Sequence, residues 1–419
     1  MGDLAVTNAA EPSARVRIFT VALDNYPPFR VDITELMDKA LAGRGYDLDW
    51  AMWRNAPGPG CVIDLPGGHH CVLGERREHE GLLFKAKAWA AYTLRIARQI
   101  KVAHYDIVQV RDMPLFAALV MLLARAQGCR FTYWMSYPMA ESRKSRANDP
   151  EEPLSRPKRI FLRAFGSLLE WVLYRVVLPR ADHVFVQSDK MAADVVARGI
   201  ARNKLTPVPM GVLLDELPPK GGADPFAGRK AIVHLGTLIR LRRPEFLLDV
   251  LAEVRRSVPD ALLVLIGDAP APDMAMLKER VRRSGLENDV RFTGEMNRTE
   301  ALALTRWARV CVSPFPPHPL NDSTSPTKLI EYLALGRPAV VNDHPDQSRV
   351  IAQSGGGLAT PYDVKAFAAA IVRLLEHPQE AEEMALKGPP FVARHRAYPV
   401  LAAQVDEAYR ALLTTPAHA

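Results

Sequence analysis

Short apolar strands alternate with amphipathic helices along almost the whole chain, and this alternation constrains the fold more than any other sequence feature. In the first half, strands are predicted at 16–22, 46–53, 106–110, 131–134 and 181–188. In the second half, they are predicted at 231–236, 262–266, 290–293, 310–313 and from Ala339 onward. Such alternation is typical of parallel sheets with helices on both faces. We therefore predict an α/β protein with two Rossmann-like, doubly wound domains.

A segment rich in glycine and proline separates the two sets of strands. Residues 218–228 contain three glycines and three prolines, which is typical of an interdomain linker. The predicted order is a disordered tail at 1–14, a first domain at 15–215, a linker at 216–228, a second domain at 229–395 and a final helix at 396–419. This last helix is long enough to reach back onto the first domain. Within the first domain, residues 23–29 are predicted to form a loop and residues 58–68 a mobile loop.

Residues 325–341 read as a helix followed by a buried strand. Ser325 is predicted to cap the helix and Pro326 to occupy its first position. Gly336 is placed to adopt a left-handed conformation at the end of the helix. The β-branched residues that follow Ala339 indicate a parallel strand.

The start of this helix is a candidate anion site. A proline-rich loop precedes it, so free backbone N–H groups are expected to converge there, and a diphosphate fits such a place. Lys328 lies in the first turn, where it opposes the helix dipole, so a bound anion explains its charge better than helix stability does. Glu331 lies one turn later, near a hydroxyl-bearing part of the same ligand. The alternative is an ordinary capped helix with solvated charges.

Three predicted strands of the second half end in glycine: Gly236, Gly267 and Gly294. Because the carboxyl ends of parallel strands lie on one edge of a sheet, these glycines are expected to converge with the start of the helix at 325. Arg242 and Arg243 closely follow Gly236 and can clamp phosphate oxygens, unless they form a solvated basic turn. Since Arg243 precedes Pro244, we predict an extended backbone there.

The net charge limits the classes of binding partner without identifying a single one. The net charge is +7, which suits a polyanionic partner, but no zinc-finger, RNA-recognition or helix-turn-helix pattern supports nucleic acid. Four scattered cysteines lack zinc-site spacing, and no run of 18 apolar residues is present. We predict a cytoplasmic protein without a metal site.

A basic, aromatic-rich helix is predicted within residues 156–180. It follows a polar segment at 141–157 and carries six bases, with Glu170 as its one acid. Such a helix can lie on an anionic membrane surface, which would make the protein peripheral to the inner face of the cell membrane. The alternative, that it packs on its own sheet, is equally consistent with the sequence.

Six segments together resemble glycosyltransferase family 4. They are 181–188, 208–212, 236–243, 265–267, 292–294 and 325–338. The resemblance covers about residues 180–380 well and the first domain loosely. It implies a GT-B fold, with two Rossmann-like domains facing each other across a cleft, the first binding an acceptor and the second a nucleotide sugar. It also implies a retaining, metal-independent hexosyltransferase that needs no cofactor, its donor being a UDP- or GDP-sugar.

The resemblance also assigns roles to individual residues. Arg243 and Lys328 would bind the diphosphate and act in catalysis, Glu331 would bind the ribose, and backbone at 292–296 would hold the base. The other predicted donor-site residues are Gly236, Thr237, Arg242, Gly267, Thr293, Gly294, Asp322, Ser325, Thr327 and Leu329. The predicted acceptor side consists of Asp24, Ser136 and Tyr137.

Three positions depart from the family pattern. Ser323 stands where the family usually has a second glutamate, Ser136 and Tyr137 where it commonly has a histidine, and 24–29 where it has a glycine-rich loop. The function predicted is transfer of a sugar to a saccharide or lipid-linked acceptor, in bacterial polysaccharide or glycolipid synthesis. The alternatives are a sugar epimerase or phosphorylase on the same fold, and a non-catalytic nucleotide-sugar-binding or scaffold protein.

Overall fold

A computed structural model describes residues 15–78, 81–149, 152, 154–219 and 221–414. The predicted tail at 1–14 and the last five residues of the predicted final helix lie outside the described residues. In the first half, an eight-stranded sheet has the order β3-β4-β2-β1-β5-β6-β7-β8. Its strands are β1 Val16–Tyr26, β2 Tyr46–Arg54, β3 Cys61–Leu65, β4 His69–Gly74, β5 Ile107–Arg111, β6 Arg130–Met135, β7 His183–Val186 and β8 Leu205–Pro207. All neighbours are parallel except the pair β3–β4.

Two loops predicted in the first half are wrong in part. β3 and β4 form an antiparallel hairpin within and beyond the predicted mobile loop at 58–68. The side chains of β3 alternate between half-buried and exposed, a period-2 pattern that outweighs the glycine and proline content. β1 also continues to Tyr26, through a register shift between Val21 and Asn25, so it includes part of the loop predicted at 23–29.

The second sheet has six strands, all parallel, in the order β11-β10-β9-β12-β13-β14. Its strands are β9 Lys230–Leu235, β10 Ala261–Ile266, β11 Val290–Gly294, β12 Val310–Ser313, β13 Ala339–Asn342 and β14 Gly357–Thr360. Helices cover both faces of each sheet, and separate apolar clusters fill the space on either face. The two doubly wound sheets predicted from the alternation of strands and helices are confirmed.

Most of the longer helices lie between strands, as the predicted alternation requires. In the first half they are α1 Asp32–Leu41, which has π-helical hydrogen bonding, α2 Leu82–Ala103, α3 Pro114–Ala126, α4 Met139–Asn148, α5 Arg156–Val172 and α6 Asp189–Ala197. In the second half they are α7 Glu245–Val254, α8 Ala271–Arg283, α9 Arg298–Thr305, α10 Thr327–Ala334, α11 Pro345–Ser354, α12 Val364–Glu376, α13 Pro378–His395 and α14 Tyr398–Thr414. Helix α4 overlaps the segment predicted only as polar, and α11 and α13 were not predicted. In the described part of the chain, no helix is long and apolar enough to cross a membrane.

Helix α14 returns to the first sheet, as predicted. Tyr409 Oη donates a hydrogen bond to Gln109 Oε1 at 2.7 Å, and the Tyr409 ring lies against Phe185. Tyr46 Oη donates to Asp406 Oδ1 at 2.7 Å. The last described helix therefore packs on the first domain.

Ser325 joins the two halves instead of capping a helix, so the predicted cap is wrong. Its Oγ donates to Asp346 Oδ2 at 2.7 Å and accepts from Met210 N at 3.0 Å and Arg396 Nη1 at 3.2 Å. Pro326 precedes the first turn of α10 and makes no side-chain cap. The Ser325 hydroxyl already binds a buried carboxylate, a backbone amide and a guanidinium group, so it cannot cap the helix.

Candidate functional site

The start of α10 lies at the carboxyl edge of the second sheet. The helix begins after the irregular segment that follows β12. Among the described residues no side chain caps it, so its first N–H groups are available to an anion. Gly336 ends the helix with φ of 63°, which confirms the predicted left-handed position. The local sequence therefore places a helix start at this edge, as the pattern indicated.

Three strand-end glycines meet beside this helix. A Cβ added to Gly236 would lie 2.2 Å from Lys328 Cε, and one added to Gly267 would lie 2.2 Å from Gly236 O. Gly267 and Gly294 form an isolated bridge between their strands. The backbone contact requires glycine at 267, and positive φ values of 136° and 135° favour glycine at both 236 and 267. The predicted convergence of the three glycines with Lys328 is present.

Lys328 and Arg242 form a pair of neighbouring cations. Lys328 Nζ lies 5.5 Å and Arg242 Cζ 4.7 Å from the centroid of the Phe315 ring. Within the described residues, neither cation has a carboxylate within 4.0 Å. Burial, together with the charge of Arg242, lowers the pKa of Lys328 to about 7. The charge of Glu331 offsets this lowering only in part. Two crowded cations without a carboxylate in direct contact favour a bound anion.

Arg243 differs from its prediction. Its φ is 49° and ψ 53°, a left-handed conformation and not an extended one, because Arg243 N donates to Arg240 O at 3.0 Å and closes a short helical turn. Its side chain is 64% exposed, with Nε 3.8 Å from Glu245 Oε1. The structure thus places Arg242, and not Arg243, beside Lys328.

Glu331 is buried and bound to an arginine that the sequence did not single out. Arg298 Nε lies 3.2 Å from Glu331 Oε1, and Arg298 Nη1 lies 3.1 Å from Glu35 Oε1 in the first domain. Burial raises the pKa of Glu331, and the charge of Arg298 opposes the rise. Glu331 Oε2 makes no hydrogen bond within the described residues, so it remains available to a ligand hydroxyl. Arg298 directly follows Asn297, which caps helix α9, so the local sequence could have indicated Arg298 as a site residue. No local sequence feature indicates Glu35.

The remaining predicted donor-site residues are spread around this edge. Thr237 is exposed, while Asp322 and Thr327 are half-buried. The Leu329 side chain packs in the core, so only its backbone faces the site. Thr293 donates its hydroxyl to Gly294 O at 3.0 Å, which fixes the turn that ends β11.

Ser323, at the position of the missing glutamate, makes a contact between the two halves of the chain. Its Oγ donates to Asp194 Oδ2 at 2.9 Å, and its carbonyl accepts from Ser188 Oγ at 2.7 Å. Both partners lie at or after the carboxyl end of β7. The carboxyl edges of the two sheets therefore face each other.

On the first-domain side, Asp112 holds two of the predicted acceptor residues. Its Oδ1 accepts from Ser136 N at 2.8 Å and Tyr137 N at 3.3 Å, and its Oδ2 accepts from the Ser136 hydroxyl. Asp24 lies beside the buried Arg111, with Oδ2 3.8 Å from Nε. Arg111 and Asp112 were not predicted as site residues, although both directly follow the strand predicted at 106–110. In the described chain, no cluster of three or more His, Cys, Asp or Glu side chains is arranged as a metal site.

Comparisons with known proteins agree with this arrangement. Residues 31–211 match the model of the glycosyl transferase 4-like domain, and residues 229–377 match that of glycosyl transferases group 1. The chain is 25% identical over 184 residues to the alpha-D-kanosaminyltransferase of Streptomyces kanamyceticus, a match that spans 43% of this chain and 46% of the relative.

Solved structures with low sequence identity share the whole fold. Sucrose-phosphate synthase from Thermosynechococcus elongatus superposes with a TM-score of 0.71 at 18% identity, over 95% of this chain and 99% of the other. Anabaena Alr3699/HepE in complex with UDP-glucose gives 0.67 at 14% identity, over 95% and 100%. The α,α-trehalose-phosphate synthase of Burkholderia vietnamiensis gives 0.66 at 15%, over 94% and 100%.

These matches define the class. The chain belongs to the glycosyltransferases of the family 4 type and has the GT-B fold. Its first half is the 4-like domain and its second half the group 1 domain.

Proposed function

We propose that the protein transfers a sugar from a nucleotide diphosphate sugar to a saccharide or lipid-linked acceptor. The observation that carries the proposal is the pair Lys328 and Arg242, two cations without a carboxylate partner in the described chain, beside the uncapped start of α10. A diphosphate there would meet both cations and the helix N–H groups. Glu331, one turn on, would accept hydrogen bonds from the ribose. The Anabaena Alr3699/HepE structures contain UDP or UDP-glucose, which supports a donor of this kind.

The proposed mechanism is retaining and relies on electrostatics. Lys328, Arg242 and the N–H groups of α10 stabilise the negative charge that develops as the glycosidic bond breaks. The leaving diphosphate accepts the proton of the acceptor hydroxyl on the same face of the sugar. Because protein cations supply the charge, the proposal needs no metal ion. Asp24, Ser136 and Tyr137 lie on the facing edge, where the acceptor would approach.

A non-catalytic nucleotide-sugar-binding protein is the second candidate. Ser323 favours it, because the position that usually contacts the sugar is here engaged with Asp194 and Ser188. Both candidates bind a donor, so only turnover separates them.

The test is donor hydrolysis and transfer with a panel of UDP- and GDP-sugars, in the presence of a chelator, with membranes carrying lipid-linked sugars as acceptor. We expect turnover of one donor with retention at the anomeric carbon. Glu331→Gln should lower kcat/KM about 10- to 100-fold, because a hydrogen bond to a charged group is lost. Glu300→Gln, an exposed position on α9, is the matched control and should leave it unchanged. Nucleotide binding without turnover on any acceptor would replace the transferase with the second candidate.

We further propose that α5 attaches the protein to an anionic membrane surface, which suits a role in polysaccharide or glycolipid synthesis. The helix packs inward through Gly166, Leu169 and Val172, yet Phe161 is 63% and Trp171 59% exposed. Ile160 and Leu168 are exposed beside them, and Leu122 of the neighbouring α3 is 62% exposed. Exposed bases on the same helix, Arg156 and Lys158, complement anionic lipid.

Liposome flotation tests this attachment. Vesicles containing phosphatidylglycerol should float the wild type, and Phe161→Ser/Trp171→Ser should remain in solution. Arg156→Gln/Lys158→Gln should weaken flotation, since each base near an anionic surface contributes about 1 kcal/mol. Arg159 is left unchanged because its guanidinium donates to Ala147 O and Glu152 O and holds this region together. Leu386→Ser, at an exposed apolar position of α13, is the control, and equal flotation of all variants would remove α5 as the attachment.

A further inference from the structure

The first domain contains a cavity that the proposed donor site does not use. Its volume is about 370 Å³, and it lies at the carboxyl ends of β1, β2 and β4, beside the first turns of α2. These strand ends belong to the edge of the first sheet that faces the second domain. A ligand in the cavity would therefore lie on the acceptor side of the molecule.

Aromatic rings form one wall of the cavity. Trp53 and Trp89 pack edge to face with ring centroids 4.8 Å apart, and Phe84 lies nearby. Trp53 Nε1 is buried and has no hydrogen-bond partner within the described residues. Aromatic walls are suited to the apolar faces of a sugar ring, and a buried indole N–H requires an acceptor.

Three cations line the cavity: Arg54, Arg76 and Lys85. Arg76 Nη1 donates to the carbonyls of Arg54 at 3.2 Å and Asn55 at 2.9 Å. Arg54 Nε donates to Pro59 O at 2.8 Å. The carboxylate in the lining, Glu75, is 3.1 Å from Arg77 Nη2. Among the residues that the structure describes, neither Arg54 nor Arg76 has a carboxylate within 4.0 Å, so backbone carbonyls hold both guanidinium groups without neutralising them.

The cavity shares the end of β1 with the predicted acceptor residue Asp24. Leu23 and Asn25 line the cavity, whereas Asp24 lies beside Arg111. This division follows from the alternation of side chains along a strand, at the register shift between Val21 and Asn25. A molecule held in the cavity therefore reaches the cleft along the end of β1.

We propose that this cavity binds a phosphate-bearing saccharide as part of the acceptor, with a sugar ring against Trp53 and Trp89 and the phosphate among Arg54, Arg76 and Lys85. A dianionic phosphate matches the two guanidinium groups of Arg54 and Arg76 better than a singly charged carboxylate does, and guanidinium groups bind it in bidentate fashion. That the bound saccharide is an acceptor rests on the proposed transferase function, whereas the binding site itself does not.

Binding of glucose-1-phosphate, measured by calorimetry, tests the site, with methyl α-glucoside as the neutral comparison. We expect the wild type to bind the phosphate and Arg76→Gln and Lys85→Gln each to weaken binding about tenfold, since each removes a charge-assisted contact. Arg98→Gln, an exposed position on the same helix α2, is the matched control and should bind as the wild type. Lys328→Gln should also bind normally, because it alters only the donor side. Loss of binding in Lys328→Gln alone, equal binding by all variants, or no preference for the phosphate would overturn the proposal.

Two further measurements separate this proposal from the proposed function. Donor hydrolysis without acceptor should be unchanged in Arg76→Gln and Lys85→Gln. If the wild type hydrolyses no nucleotide sugar but shows the binding pattern above, the transferase fails while the anionic site stands. Neutral phosphatidylcholine vesicles with and without polyprenyl phosphate distinguish the two sources of the group. If the wild type is recruited to vesicles with polyprenyl phosphate and Lys85→Gln is not, the phosphate group belongs to a lipid carrier. If the wild type binds glucose-1-phosphate in solution but is not recruited to these vesicles, the phosphate group belongs to a soluble acceptor.

Discussion

Replacing Lys328 with glutamine is expected to lower kcat/KM for the nucleotide sugar by about 100-fold or more, the usual cost of removing one preorganised group from a developing negative charge. The side chain lies against Gly236 and over Phe315, and no carboxylate of the described chain lies within 4.0 Å of its ammonium group. Glutamine keeps most of the volume and removes the charge. Lys365→Gln, at an exposed position of α12, is the control and should have no effect.

The pH dependence gives this prediction a sharper form. Burial and Arg242 lower the pKa of Lys328 from 10.5 to about 7, so the free enzyme loses the ammonium proton as the pH rises through that value. Because a diphosphate binds the ammonium and not the amine, kcat/KM should fall about tenfold per pH unit above the pKa. Bound diphosphate favours the charged form, so kcat should stay level to a higher pH. An alkaline fall that persists in Lys328→Gln would assign it to another group.

The variant Arg242→Gln should distinguish the contribution of Arg242 from that of Lys328. It removes the nearest charge that disfavours the ammonium of Lys328, so the alkaline fall of kcat/KM should move to higher pH while its maximum drops. Arg243→Gln should change neither value much, because the Arg243 side chain is exposed beside Glu245. If Arg243→Gln proves as damaging as Arg242→Gln, the arginine implied by the family resemblance acts after the turn rearranges on donor binding.

Replacing Asp346 with alanine is expected to lower the free energy of unfolding by about 3–5 kcal/mol, the usual cost of breaking a buried ion pair from one side. Asp346 Oδ1 lies 2.6 Å from Arg396 Nη2, and the two side chains are 2% and 6% exposed. The same carboxylate accepts the Ser325 hydroxyl at 2.7 Å. Without it, a buried guanidinium loses its charge partner, and the link between α10 and the end of the first domain is cut.

Urea unfolding measures the loss, and a double-mutant cycle apportions it. Asp346→Ala/Arg396→Met should be more stable than Asp346→Ala, because the uncompensated charge is gone. Asp343→Ala, an exposed neighbour, is the control. Asp346→Ala should also raise KM for the donor, because Asp346 binds the Ser325 hydroxyl and Ser325 lies just before α10. Unfolding midpoints that coincide for wild type and Asp346→Ala would show that this pair does not hold the two halves together.

Much of the fold and part of the candidate site are readable from local patterns. The alternation of strands and helices predicts both sheets, because hydrophobic periodicity over five to ten residues is set by which face each element buries. Glycines at strand ends predict the edge where Gly236, Gly267 and Gly294 meet. Lys328 and Glu331 share one short helix, so their proximity needs no knowledge of the rest of the chain.

Other features depend on contacts between residues distant in sequence. Ser325 has the sequence signature of a cap, yet its partners Met210, Asp346 and Arg396 come from three separate segments. Arg298 joins Glu331 to Glu35 across the two halves of the chain. Whether Arg242 or Arg243 faces Lys328 depends on one left-handed residue in a turn.

The sequence by itself therefore determined the two mainly parallel sheets, the edge of the proposed donor site and the cations near it, because local periodicity and glycine geometry act within one or two elements. Only the tertiary structure decided which cations meet, what Ser325 binds, and how the Trp53 and Arg76 cavity forms, because these follow from the packing of strands and loops against each other. A buried polar group takes the partner that packing brings to it, and no local pattern records that partner.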